Sequence, residues 1–183
     1  MGLARRSAYP GYQTGDVEHF VYTLSDREIT NPEGAGIDLR IGRLSKFLCS
    51  ESYLGVDVRS TLNTEVVLDI ALHGEVVATI PPGGYFLATT IERINMPLGI
   101  LGLIRPRGTL FRSGITLSTG QVNPGYSGEQ TFGLHNAGGH EFKIQLGARI
   151  AHIVFLAVDG ETSAYRGQWN NGRISAPTSE TQV

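Results

Sequence analysis

The chain has 183 residues, is 40% hydrophobic and 17% charged, and carries a formal net charge of −2. That length fits one domain able to bury a substantial core, and the near-neutral charge argues against a general nucleic-acid binder, which needs a strongly basic surface. A single cysteine, Cys49, excludes an internal disulfide framework and points to a reducing, cytoplasmic setting, while no apolar run approaches the roughly 18 residues of a membrane span.

Residues 1–20 read as an N-terminal extension. Its basic residues precede no apolar core, so it is neither a signal peptide nor an anchor, and Arg6 stands where myristoylation needs Ser or Thr. Ser25–Thr30 (SDREIT) predicts one short helix, with Ser25 and Glu28 spaced as a capping box. Four segments then alternate or run β-branched and predict strands: Thr64–Leu72, Glu75–Ile80, Gly84–Ile94 and Ala148–Val158. The breaks HGE, PPGG, NMPLG, NPGYSG and NAGGH predict turns. The 24 glycines and 8 prolines are spread along the chain, as many short strands require. The predicted fold is mainly β, a barrel or jelly roll with Greek-key connections and little helix. It is assigned to residues 21–161. The polar tail 162–183 lacks strand periodicity and is expected to order on a ligand or a neighbouring subunit.

Arg105, Arg107 and Arg112 crowd into eight residues of a chain with modest charge. Guanidinium groups present planar, paired donors that match phosphate oxygens. Gly108 allows close backbone approach, and Thr109 adds a hydroxyl. The competing explanation is ordinary pairing with surface carboxylates. Asn123–Glu129 (NPGYSGE) is a turn in which Gly125 and Gly128 accept positive φ. Tyr126 between them suits stacking on a sugar or base, or covering the core.

Together these stretches resemble the dCTP deaminase and dUTP diphosphatase superfamily, nearest the deaminase branch. Arg107-Gly108-Thr109-Leu110-Phe111-Arg112 is similar to the family's Arg-Ser-Ser-Leu-x-Arg signature. Val122–Gly128 is similar to its Ile-Asp-x-Gly-Tyr-x-Gly turn, and Leu146–Ala151 to its Pro-Gly-x-Arg-Ile-Ala strand. GAGIDLRIG (Gly34–Gly42), Gly84–Ile104 and YRGQ (Tyr165–Gln168) resemble further family segments in matching order, so the likeness spans roughly residues 24–173. The resemblance implies a distorted jelly roll, a homotrimer with sites between subunits, and a pyrimidine deoxynucleoside triphosphate carrying Mg²⁺ on its phosphates. Arg107, Gly108, Thr109, Arg112 and the tail's Gln168 would face the phosphates. Thr119, Gly120, Gln121, Val122 and Asn123 would face base and deoxyribose, beside Tyr126.

The catalytic positions depart from that pattern. The deaminase glutamate, ten residues after the turn's aspartate, corresponds to Gly133, and the diphosphatase aspartate corresponds to Asn123, an amide that is not a base near neutral pH. The first signature serine is Gly108. Glu129 and His135 are the remaining proton-transfer candidates. On a regular strand both share a face with Gly133, although four residues span about 13 Å. His135 also fits an ordinary half-buried strand position, and His140 a solvated turn. Asp38 is expected to organise the loop beside the arginines. Trp169 would cap a base or pack the tail. His19, His73, His152 and Cys49 show no metal-ligand spacing, and neither zinc-deaminase, Walker nor serine-elbow patterns occur. Three readings follow: a dCTP deaminase-like enzyme making dUTP and ammonia, a dUTP diphosphatase-like or altered-substrate enzyme in which Gly133 makes room for a bulkier base, and an inactive nucleotide-binding module.

Overall fold

Alternating apolar residues with frequent turns give a molecule built from many short strands and four long ones, among the described residues. The computed structural model describes residues 20–48 and 51–182. Residues 1–19 of the extension, with Arg6 and His19, and also Cys49, lie outside the described residues. In chain order the elements are β1 (Val21–Tyr22), the helix Asp26–Thr30, β2 (Gly36–Phe47), β3 (Tyr53–Leu54), β4 (Val58–Ser60), β5 (Thr64–Asp69) and the helical turn Ile70–His73. There follow β6 (Val77–Ile80), β7 (Tyr85–Asn95), β8 (Ile100–Pro106), the helix Gly108–Arg112, β9 (Ile115–Ser118), β10 (Gln121–Val122), β11 (Ser127–Asn136), β12 (Phe142–Gln145) and β13 (Arg149–Ala157). A 3₁₀ turn (Asn170–Gly172) and β14 (Glu180–Thr181) complete the chain.

Nine strands form one antiparallel sheet in the order β10-β8-β13-β2-β7-β11-β9, with β1 added to β7 and β5 to β2. β12 pairs with β6, and β14-β4-β3 make a third small sheet. Register shifts interrupt β2/β7 between Ile41 and Arg43, β13/β2 between Arg149 and Ala151, and β11/β7 between Glu129 and Thr131. Extra residues at such points bend strands and increase twist, so the sheet curls on itself. Leu39, Ile41, Ile94, Leu134, Ile150 and Ile153 are at most 1% exposed inside the curl. This is the mainly β, jelly-roll-like fold expected from the sequence. Glu92 is buried among them. Its carboxylate accepts from the backbone N–H and Nε of Arg40 at 2.8 and 2.7 Å. Burial still leaves its pKa raised, against the pull of Arg40.

Two local expectations are corrected. The segment Thr64–Leu72 is not one strand: it turns helical at Ile70, because Asp69 Oδ1 caps Ala71 N–H at 2.9 Å. The helix at Asp26 begins after Ser25, but the Ser25 side chain makes no cap bond. Glu28 instead accepts from Asp38 N–H at 2.9 Å and pairs with Arg27. The tail is placed by contacts within its own chain. Thr61 N–H donates to Ala176 O at 2.8 Å, Ala176 N–H donates to Thr61 Oγ1 at 2.8 Å, and Ala176 is fully buried.

Candidate functional site

Asp38 on β2 is 1% exposed and gathers four basic side chains around it. Arg107 Nη1 donates to both its oxygens at 2.8 Å, Arg149 Nη1 donates at 2.9 Å, His152 Nδ1 lies 2.8 Å away, and Arg27 Nη1 is at 3.4 Å. The register explains the convergence: Arg149 and His152 stand on β13 opposite Arg40 and Asp38, and Arg107 follows β8 on the other side of β13. Burial alone would raise the Asp38 pKa. The His152 hydrogen bond, Arg107 and Arg149 outweigh it and hold the carboxyl below its ordinary range. Glu33, largely exposed, reaches Arg27 at 3.1 Å and Arg107 at 3.7 Å.

Arg107 is therefore tied to an acidic neighbour within the chain, as ordinary ion pairing would have it, and Asp38 organises that loop as expected. Arg112 is exposed. It donates to Gly108 O at 3.2 Å and lies over the Phe111 ring at 4.7 Å. Gly108 and Thr109 open the same short helix.

A cleft of about 780 Å³ has a lining that includes none of these residues. One wall is Gly120, Gln121, Val122 and Asn123, followed by Tyr126, Glu129, Gln130 and Thr131. Tail residues Tyr165, Trp169, Arg173 and Ile174 form a second wall, and the hairpin of β3 and β4 with Arg59 forms a third. Gln121 Nε2 donates to Asn123 Oδ1 at 2.7 Å, which fixes both amides. Thr119, just outside, donates to Ile104 O at 3.0 Å. Tyr126 donates to Glu129 O at 2.6 Å, and burial first, then Tyr165 and Glu129, push its phenol up to about 12. Glu129 is the one carboxylate among the described lining residues, 3.9 Å from Arg93. Gln130 Nε2 is buried without a hydrogen-bond partner.

The structure thus brings together Gly120, Gln121, Val122, Asn123, Tyr126, Glu129 and Trp169. It does not bring Arg107, Gly108, Thr109, Arg112, Thr119, His135 or Gln168 into that lining. Gln168 bonds Arg59 Nε through its carbonyl oxygen, and its Nε2 is buried and unpartnered. His135 stacks on Tyr85, with ring centroids 5.9 Å apart. His140 is exposed in its turn. The idea that Gly133 leaves room for a bulkier base is corrected. A Cβ there would overlap the Tyr85 hydroxyl, with ring Cζ only 2.8 Å away. Sequence reasoning missed Arg59, Arg173 and the hairpin wall, because nothing local links residue 59 to residue 168.

The turn glycines have a second role. Gly125 has φ +76°, and a Cβ would meet Ala164 Cα at 3.0 Å. Gly128 has φ +144°, and a Cβ would overlap Gly172 N and approach Asn171 C at 2.8 Å. Tyr165 N–H donates to Pro124 O at 2.8 Å, and Ser127 N–H to Asn170 Oδ1 at 2.9 Å. The tail crosses here because only glycine leaves space for its backbone.

Comparison with known proteins places this geometry. The family model described as "dCTP deaminase-like" matches residues 18–158. The dCTP deaminase of Thermococcus kodakarensis is 32% identical over 140 residues, 76% of this chain and 79% of that protein. That of Pyrococcus furiosus is 34% identical over 136 residues, 74% of this chain and 76% of the other. A protein of Methanothermobacter thermautotrophicus named a probable deoxyuridine 5'-triphosphate nucleotidohydrolase is 31% identical over 142 residues, 78% of this chain and 88% of that protein. In structure the chain is similar to the dCTP deaminase of Agrobacterium tumefaciens, with TM-score 0.55 and 15% identity over 77% of this chain. It spans 43% of that longer chain, a likeness of fold. With the matched model covering most of its length and two deaminases above 30% identity, the chain belongs to the dCTP deaminase-like family.

Proposed function

We propose that the protein binds a pyrimidine deoxynucleoside triphosphate and deaminates dCTP to dUTP and ammonia. The observation that carries this reading is the cleft wall Gly120–Asn123, which presents two fixed amides and backbone groups beside Tyr126 and Glu129. Amide donors and acceptors suit the edge of a pyrimidine, and the Tyr126 ring suits the apolar face of a deoxyribose. Glu129 takes the proton-transfer role. Its carboxylate takes a proton from the water that adds at C4 of cytosine as N3 gains one, then carries the remaining hydroxyl proton to the amino group; the C4–N bond breaks, C4=O forms, and one water is consumed for each ammonia released. His135 lies against Tyr85 and is the poorer candidate.

Arg107 and Arg112 serve the phosphates of a site completed by a second copy of the chain in a homotrimer. This accounts for their standing apart from the cleft of their own chain. Arg107 then exchanges part of its hold on Asp38 and Glu33 for phosphate oxygen. Among the described residues, no three of His, Cys, Asp and Glu stand together as a cation cage. Mg²⁺ would arrive with the triphosphate, on phosphate and water oxygens, and neutralise charge there. The tail with Gln168 and Trp169 closes over the cleft.

A second reading, binding without turnover, is favoured by Asn123, which cannot act as a base, and by the phenol that covers Gly133. Incubation with Mg²⁺ and dCTP or dUTP, following ammonia, diphosphate and monophosphate, separates the two. Ammonia from dCTP is expected, and Glu129→Gln should lower its rate roughly 10²–10⁴-fold with little change in affinity. Tight binding with no product would leave the second reading.

A further inference from the structure

The face of β11 that lines the cleft carries Glu129 and Thr131, and strand alternation continues it through Gly133 and His135. The cleft takes in Thr131 and Phe132 but neither Gly133 nor His135. The side chain standing over Gly133 is that of Tyr85. This residue pairs with His135 across β7 and β11, while Gly133 pairs with Leu87, so the Tyr85 ring leans diagonally back along the strand over Gly133. Its ring lies between Phe47, at 5.6 Å and 37°, and His135, at 5.9 Å and 33°. Phe47 is itself part of the cleft lining, so Tyr85 is the next layer behind the wall. Any side chain at position 133 would displace the phenol; glycine there is the condition for this arrangement.

Tyr85 is not a core residue. It is 45% exposed, and among the described residues its aromatic contacts are the two flanking rings. The surrounding lining, Phe47, Leu87 and Phe132, makes this the apolar end of the cleft, the end that suits a flat heterocycle. We propose that Tyr85 is a specificity-determining residue: by covering Gly133 it closes the apolar end of the cleft and limits the base held there to a single ring. The proposal rests on the nucleotide reading above. Its reverse is also specific. Removing the phenol extends the same face by the width of one side-chain layer over Gly133, which is the direction a fused second ring needs.

The test is calorimetric binding of two probes, the Mg²⁺ complexes of α,β-imido dUTP and α,β-imido dATP, to the full chain. The unsubstituted protein is expected to favour the dUTP analogue. Tyr85→Ala should shift the ratio of affinities toward the dATP analogue by roughly 10–100-fold, the discrimination typical of small changes in pocket size. Tyr85→Phe keeps the ring in place and should leave the ratio within about threefold of the original. Tyr85→Leu keeps apolar contact with Phe47 but is too short to cover Gly133. It should shift the ratio as Ala does, and it decides the matter if the alanine variant is insoluble. Binding of the dUTP analogue by the original chain with an unchanged ratio in both truncations overturns the role of Tyr85 alone. Failure of every protein to bind either analogue overturns the nucleotide reading and this proposal with it.

Discussion

Burying a carboxylate costs several kcal/mol unless charge and hydrogen bonds replace its water. Asp38 meets that demand with Arg107, Arg149 and His152 within 2.9 Å. Asp38→Asn leaves three guanidinium groups facing an amide. They retain some water, so the expected loss is about 3 kcal/mol, the lower end for a broken buried pair. The pH dependence has a definite sign. A folded pKa below the ordinary value of 3.8 means the Asp38 contribution is complete above that value and is lost as pH falls through the folded value. Urea titrations from about pH 7 to about pH 3 should show a flatter acid limb in Asp38→Asn than in the original chain; parallel limbs would refute the assignment. Asp38 was legible in the sequence as an organiser of the arginine loop. Its partners were not, since His152 is 114 positions away and no local pattern carries that distance.

At the scale of elements, the strands were read well where alternation is strong. β7 and β13 lie within one residue of the predicted Gly84–Ile94 and Ala148–Val158. The helical turn at Ile70 was missed because its apolar residues continue the strand pattern, and a single capping bond from Asp69 decides the change. The tail was read as polar and patternless, which it is; its backbone bonds run to β4, to Asp57 and Thr61 on either side of it, and to the NPGYSG turn. That dependence is testable at Gly128. An alanine there must hold φ +144° and displace Gly172, so Gly128→Ala should cost roughly 1–3 kcal/mol in strain and release the tail. Hydrogen exchange should then rise over residues 162–182 while β2 and β13 stay protected; uniform loss of protection would mean the tail is not a separable unit.

At the scale of the molecule, the cleft and the arginine helix stand apart in one chain. A site assembled from two copies requires both. Arg107→Ala and Glu129→Gln would each disable the site in a different copy, so each variant alone should be nearly inactive. Subunit exchange between the two should restore a measurable fraction of ammonia release, because some seams then carry an intact Arg107 and an intact Glu129. No recovery, with exchange demonstrated by mass, would show that one chain supplies both groups. Gly133 adds a warning for redesign: Gly133→Glu should unfold or stall the protein unless Tyr85 is shortened too, a coupling that double-mutant stability measurements detect.

By itself the sequence determined the strand-rich composition, the turn positions and the ordered motifs that mark the family. Each of these depends on neighbours a few residues apart: side-chain alternation, φ preference and local spacing. Only the tertiary structure decided that Arg107 rests on Asp38, 69 positions away, and that Arg59 meets Gln168 across 109 positions. It likewise decided that Tyr85 stands over Gly133. Those meetings follow from strand register and from where the curled sheet brings backbone against backbone, and register is settled by the packing of the whole core rather than by any one segment.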